Sequence, residues 1–250
     1  MGLRLIAVSL LLFLSVQSSP GWQQLPRHSL FSKILAMYVK DGMVNYDGIR
    51  KDSLFDEYLQ FLSSSDPAAF VLKEDRLAFW INAYNAYTIR LIIDHMPLRS
   101  IRDIGLGLPF WLGPWSIDVA SVGGERYTLN EIEHEIIRAQ FRDARVHCAL
   151  VCASRSCPKL REEAYEGYTL NAQLDEDVRR FLGDSVRNRF ETETLFLSKI
   201  FDWYESDFED FAGSLKAFIV RYGPPGARAV LQNADAHVEF LPYDWSLNTK

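Results

Sequence analysis

Apolar positions recur at helical spacing along most of the chain and at alternate spacing in a few short runs. Leu30, Phe31, Ile34, Leu35 and Tyr38 predict a helix over 28–40. Leu54, Phe55, Tyr58, Leu59 and Leu62 predict a second, with Ser53 as its cap. Asp66-Pro67 starts a short helical turn. Glu74 to His95 reads as one long helix that stops before Pro97. Its apolar side chains surround nearly the whole circumference, leaving a narrow exposed strip at Arg76, Arg90 and Asp94. The stretch 105–115, which holds Phe110, Trp111 and Trp115, reads as an ordered aromatic loop, and 116–120 with 125–127 as a hairpin about Gly123-Gly124. Thr128 and Glu131 form a capping box for a helix over 129–140. The run 145–153, RVHCALVCA, reads as a buried strand, and Pro158 as the start of a short helix preceded by Cys157 at its N-cap. A helix over 170–183, a strand over 192–197, helices capped by Ser198 and Ser206 (Glu209 completing the second box) and a strand over 238–241 follow. Gly223-Pro224-Pro225 ends the second of those helices. Without repeats or regular βαβ alternation, the pattern predicts one compact α+β domain over 21–250, helix-rich with a small mixed or antiparallel sheet.

The first twenty residues stand apart. Arg4, the apolar run Leu5–Leu14 and the small residues before Pro20 form the pattern of a signal peptide over 1–20, with cleavage after Ser18. The run is too short to span about 30 Å of hydrocarbon. The expectation is an exported protein, periplasmic or secreted, that does not span the membrane after cleavage. A formal net charge of −6 disfavours nonspecific nucleic-acid binding through a basic face, so no nucleic-acid partner is expected. The three cysteines are too few to build a disulfide-held fold.

The candidate chemistry sits in three places. On the long helix Asn82 and Asn85 lie opposite the exposed strip, so both amides face inward and need partners. They either pin a loop or orient a catalytic side chain or a substrate. On the helix over 129–140, Glu133 falls inside the apolar arc and His134 at its edge. A carboxylate there needs a partner, an arginine for instance, or a shifted pKa. Arg138 stands where the second His of a His-Glu-x-x-His zinc site would be, so no metal site is expected. All three cysteines lie within Cys148–Cys157, beside His147. In a strand, His147 and Cys152 would face opposite sides, and Cys148 and Cys152 would be about 13 Å apart at ~3.3 Å per residue. Three readings stay open: a Cys152–Cys157 disulfide, a catalytic thiol activated by His147 or His134, and inert core cysteines. A glycosidase reading rests only on acids near tryptophans, such as Glu133 with Asp202 or Asp244. A redox motif of the C-x-x-C kind is not met.

The segments V44-N-Y46, A78-F-W-I-N-A-Y-N85, I132-E-H134 with Arg138, and V146 to L160 occur in order, followed by L197-S-K-I-F-D-W-Y204 with Asp207-Phe208 and Y243-D-W-S-L-N248. Together they resemble the DUF547 family from about Leu35 to Asn248. That family's biochemical role is unestablished, and some relatives join the domain to glutaredoxin or to plant leucine-zipper regions, which implies partners rather than a reaction. In plant-like members the cysteine before the proline is often serine, which places weight on Cys152 over Cys157 and argues against an obligatory disulfide. The recurring polar positions carried over are Asn82, Asn85, Glu133, His134, Arg138, His147, Cys152, Asp202 and Asp244. The resulting expectation is a thiol-dependent hydrolase or acyltransferase acting on an unknown small-molecule or peptide ligand. In it Cys152 is nucleophile, His147 or His134 is base, Glu133 is orienter, and Asn82, Asn85 and Arg138 bind substrate, with no cofactor. The alternative is a non-catalytic extracytoplasmic binding module in which the same residues form a structural polar network.

Overall fold

The computed structural model describes residues 28–105 and 113–250. The signal peptide expected over 1–20 and the loop residues Phe110 and Trp111 lie outside them. Helix α1, Ser29–Tyr38, runs into a two-stranded hairpin of β1, Val39–Lys40, and β2, Met43–Val44. Helices α2, Tyr46–Arg50, α3, Ser53–Ser64, and α4, Lys73–His95, follow. A second hairpin pairs β3, Asp118–Val122, with β4, Glu125–Thr128. It feeds a π-helix, Glu131–Phe141, through the expected reciprocal cap: Glu131 Oε2 accepts the Thr128 N–H, and Thr128 Oγ1 accepts the Glu131 N–H. After an irregular stretch come α5, Leu170–Leu182, β5, Arg189–Phe190, and β6, Thr194–Leu197. Then come α6, Lys199–Trp203, α7, Glu205–Ala212, α8, Leu215–Tyr222, α9, Pro225–Leu231, and β7, His237–Phe240. Strand β6 pairs antiparallel with β5 and parallel with β7. The fold is α+β, helix-rich, with small antiparallel and mixed sheets.

Helix α4 is the axis of this arrangement. Every residue from Leu77 to Ile89 is buried, as its all-round apolar pattern predicts. One apolar cluster wraps α4, and a second, built on Phe181, Phe201, Phe208 and Phe218, joins α5 to α6, α7 and α8. Within the first cluster the two inward amides each grip main chain from both ends. Asn82 donates to Tyr165 O and accepts from Tyr165 N at 2.8 and 2.9 Å. Asn85 donates to Ala149 O and accepts from Val151 N at 3.0 and 2.9 Å.

That second grip explains the main departure from the sequence pattern. Residues 145–153 are not a strand. Ala144–Cys148 is a 3₁₀ turn capped by Asp143, and the chain after it is irregular. An apolar run becomes a strand when a sheet edge satisfies its N–H and C=O groups. Here side chains and neighbouring segments do so. Asn85 serves residues 149 and 151, Cys157 Sγ accepts the Cys152 N–H, and Ala153 O accepts the Asn248 N–H. The alternation argument that set His147 opposite Cys152 therefore has no basis. The helix expected at Pro158 is also absent, and with it the N-cap position assigned to Cys157. Smaller corrections concern caps. Asp52, not Ser53, caps α3, and α7 begins at Glu205 with no side-chain cap, so Ser206 lies inside it.

The segment Tyr243–Thr249 returns across the molecule and stitches distant parts together. Leu247 N–H bonds Arg99 O, Arg155 N–H bonds Ser246 O, Ser156 N–H bonds Asp244 O, and Val44 N–H bonds Asn248 O. Buried Asn248 also accepts from the Tyr46 hydroxyl at 2.6 Å and donates to Gly42 O at 3.2 Å. The segment thus closes β2 and the cysteine loop under one strap.

Asn85→Ala strands a buried N–H and a buried C=O, each worth about 1–3 kcal/mol when left unpaired. Urea unfolding of the variant is expected to show a loss of at least that size, with Asn82→Ala behaving alike.

A candidate thiol site beneath an aromatic wall

Residues from six separate segments converge on a cleft of about 240 Å³. Tyr84 on α4 and Leu150 contribute to its lining, and Glu133 and His134 come from the first turn of the π-helix. His147, Cys152 and Cys157 come from the stretch that Asn85 holds. Trp203 and Tyr204 come from the end of α6, and Tyr243 and Trp245 from the returning segment. The aromatic residues form a continuous wall: Trp203 stacks on Trp245 at 5.6 Å between ring centroids, Tyr243 meets both, and Trp115 packs edge-on against Trp245. Trp203 remains 47% exposed, so part of the wall faces solvent.

Cys152 carries the most polarised environment. Its Sγ lies 2.6 Å from Cys157 Sγ, 3.2 Å from Ser154 Oγ and 3.4 Å from the Tyr243 hydroxyl, and neither cysteine is bridged. The hydrogen bond from Cys157 lowers the Cys152 thiol to about 7, against the opposing effect of burial, with Ser154 and Tyr243 adding to the lowering. Burial first, and then the neighbouring sulfur, push the Cys157 thiol well up. The Cys152 N–H that Cys157 Sγ accepts works the other way but is outweighed. Of the pair, Cys152 is the thiol that ionises more readily and Cys157 the one that holds its proton. With no helix at Pro158, no helix N-terminus acts on Cys157. Cys148 is buried in the second apolar cluster, where desolvation drives its thiol far up.

His147 is fixed on three sides. Its Nε2 lies 2.7 Å from Asp207 Oδ2, its ring stacks on Tyr204 at 3.8 Å, and Phe208 packs beside it. A carboxylate only accepts, so Nε2 bears the hydrogen and the lone pair of the neutral ring sits on Nδ1. Asp207 is also held bidentately by Arg138, at 2.7 and 2.8 Å. Burial works against the Asp207 carboxylate, but the bonds from Arg138 and His147 overcome it and keep the carboxyl well below the usual range. Glu133, 7% exposed, is satisfied by the Tyr204 hydroxyl at 2.5 Å rather than by an arginine. Burial and the Glu133 charge in turn push the Tyr204 hydroxyl far up, so that it stays a donor.

The structure therefore brings Cys152, His147, His134 and Glu133 to one cleft. It does not bring Asn82, Asn85 or Arg138 to it. Both amides are spent on main chain, and Arg138 faces away to hold Asp207 while donating to His134 Nδ1 at 2.8 Å. His134 sits at the exposed rim. Asp202 pairs with Lys199, and Asp244 accepts from Ser246, which fixes the turn before Trp245. Sequence reasoning placed Asp207 within a motif yet gave it no role. It also passed over Tyr204, Ser154 and Tyr243, although the aromatics flank aspartates it had marked. Among the described residues no three His, Cys, Asp or Glu side chains gather as a metal site, and no helix is long and apolar enough to cross a membrane.

Fold and site together define a helix-rich α+β protein with a paired-thiol cleft. Residues 68–182 match the family described as "Protein of unknown function, DUF547". The match includes Asn82, Asn85, Glu133, His134, His147 and both cleft cysteines. The segments around Val44, Asp207 and Tyr243 lie outside the match but complete the same structure. No curated protein and no solved structure matches the chain.

Alkylation of Cys152 by iodoacetamide, followed by peptide mapping across pH 5–10, is expected to have its midpoint near pH 7, where its thiolate forms. Ser154→Ala removes one supporting bond and moves that midpoint upward. Asp207 contributes stability above the unfolded carboxylate range of ~4, and this is lost as pH falls below it. Asp207→Asn is therefore expected to lower the melting temperature at pH 7, with the gap to wild type starting to narrow only below about pH 4 and still open at pH 3, because the folded-state carboxyl is held well below its usual range.

Proposed function

We propose that the cleft is the active site of a thiol-dependent acyl-transfer enzyme, a hydrolase or acyltransferase, in an exported protein. The observation that supports it is the arrangement Cys152, His147 and Asp207. A lowered thiol and an imidazole line the same cleft, and the imidazole is held from behind by a carboxylate that itself stays ionised. In this reading Cys152 passes its thiol proton to His147 Nδ1, and its Sγ attacks a carbonyl carbon. His147 delivers a proton from Nδ1 to the leaving group, and a thioester to Cys152 remains. His147 then draws a proton from water, or from an acceptor alcohol or amine, as it attacks the thioester. The thiolate is released. Asp207 keeps the imidazole in the required tautomer and stabilises its protonated form. The role first given to Glu133 thus passes to Asp207, and Glu133 acts one step back, through Tyr204 and the ring stacked on it.

The alternative, a binding module without chemistry, draws on Asn82 and Asn85. Their bonds to main chain are those of a structural network. That observation concerns the loop beneath the cleft and leaves the thiol and imidazole unexplained.

The deciding experiment is mass spectrometry of the protein after brief exposure to activated esters and short acyl thioesters. A stable acyl adduct on Cys152, or turnover with a burst, is expected. Cys152→Ala is expected to abolish it, and His147→Ala to slow it by about 10²–10⁴-fold, the usual worth of a general acid–base group. Failure of every acyl donor to modify a Cys152 that still alkylates near neutral pH would overturn the reading.

A further inference from the structure

The acyl-transfer reading leaves Cys157 without a chemical role, yet it is the group nearest the nucleophile. It is 3% exposed, its sulfur lies 2.6 Å from Cys152 Sγ, and both are free thiols. The four residues between them do not form a loose loop. Ser154 and Leu247 pair across an isolated bridge, Arg155 and Ser156 donate N–H groups to the returning segment, and the Cys157 N–H bonds Ser154 O. From the far side Arg187 Nε donates to Cys157 O at 2.8 Å, and its guanidinium also reaches Arg155 O. The two sulfurs are held together by backbone fixed at both edges of the turn. Both line the cleft, Cys152 partly exposed and Cys157 buried.

We propose that Cys152 and Cys157 are a peroxide-reactive dithiol, in which Cys152 takes oxygen from a small hydroperoxide and Cys157 resolves it to a disulfide. The Cys152 thiolate attacks the distal oxygen of R–O–O–H. The O–O bond breaks, the alkoxide leaves and takes up a proton as R–OH, and Cys152 becomes a sulfenic acid. Cys157, as a thiol, then attacks that sulfur. Hydroxide leaves with the Cys157 proton as water, and the Cys152–Cys157 bond forms. Two electrons pass from the two thiols to the peroxide, and an external thiol such as dithiothreitol or glutathione restores the pair. The division of labour follows from exposure: a reagent in the cleft meets Cys152 first, and the sulfenic acid meets Cys157 before any second peroxide. Cys148, packed in the other apolar cluster, takes no part. The proposal does not rest on acyl transfer. If that activity exists at Cys152, the disulfide silences it reversibly.

The test is stoichiometric hydrogen peroxide on the reduced protein at pH 7.5, quenched with N-ethylmaleimide and analysed by intact mass and peptide mapping. The expected result is a loss of two hydrogens, a Cys152–Cys157 cross-linked peptide, Cys148 still reduced, and full reversal by dithiothreitol. Cys157→Ser is expected to accumulate a dimedone-reactive sulfenic acid at Cys152. With excess peroxide it should give several-fold more sulfinic acid than wild type. The proposal is overturned if wild-type Cys152 stays reduced, if it passes to sulfinic acid as fast as in the variant, or if the cross-link involves Cys148. The cross-link assay on the wild-type protein decides the matter even if the variant fails to fold. It is read without any acyl substrate, so its outcome is separate from that of acyl-donor labelling.

Discussion

The grip of Asn85 on Ala149 and Val151 is the interaction on which the rest of the site depends. It takes an apolar segment that has no sheet to join and satisfies its backbone from the middle of the most buried helix. The result is a stretch of irregular chain as well fixed as a strand but free of a strand's alternation. That freedom is what lets His147 and Cys152, five positions apart, turn toward the same space. Asn82 does the same for Tyr165 one turn earlier, so α4 serves as a spine with two amide hooks. A hydrophobic side chain at either position would bury as well and hold nothing.

Two layers of support stand behind the chemistry. His147 is oriented by Asp207, Asp207 by Arg138, and Arg138 also reaches His134, so a single chain of charge-assisted bonds runs from the π-helix through α7 to the imidazole. On the other side Glu133 fixes Tyr204, whose ring lies flat on the same imidazole. The histidine is thus clamped along its edge by one pair and on its face by the other. Cys152 is supported differently, by weak donors gathered from sulfur, serine and tyrosine. Its reactivity is therefore adjustable by small changes nearby, whereas the geometry of the histidine is not.

Much of this was legible in the sequence, and the reasons for the remainder are specific. The all-round apolar pattern of α4 announced a buried helix, and the inward angle of Asn82 and Asn85 announced buried amides in need of partners. The capping box at Thr128 and Glu131 formed as its spacing required. Glu133 stood out correctly as a carboxylate on an apolar face. What periodicity could not show was where 145–153 found its hydrogen bonds, because the donor and acceptor lie more than sixty residues away on a helix. Nor could it show that Asp207, sixty residues from His147, is its partner. The segments Val44–Tyr46 and Tyr243–Asn248 were each visible as motifs. That they are two halves of one contact, through Asn248 and Tyr46, is a fact of three dimensions.

The strap carries one more consequence, which concerns time. Tyr243 follows Cys152 by 91 positions, yet it supplies a bond to that sulfur and closes the wall above it. At ~5–20 residues per second a ribosome takes about 5–20 s to bridge that interval. Throughout it the nucleophile's loop exists without its cover, and the first two hundred residues can collapse around α4 while the cleft stays unroofed. The bond from Tyr243 and the wall above the sulfur can therefore form only after the strap has been made.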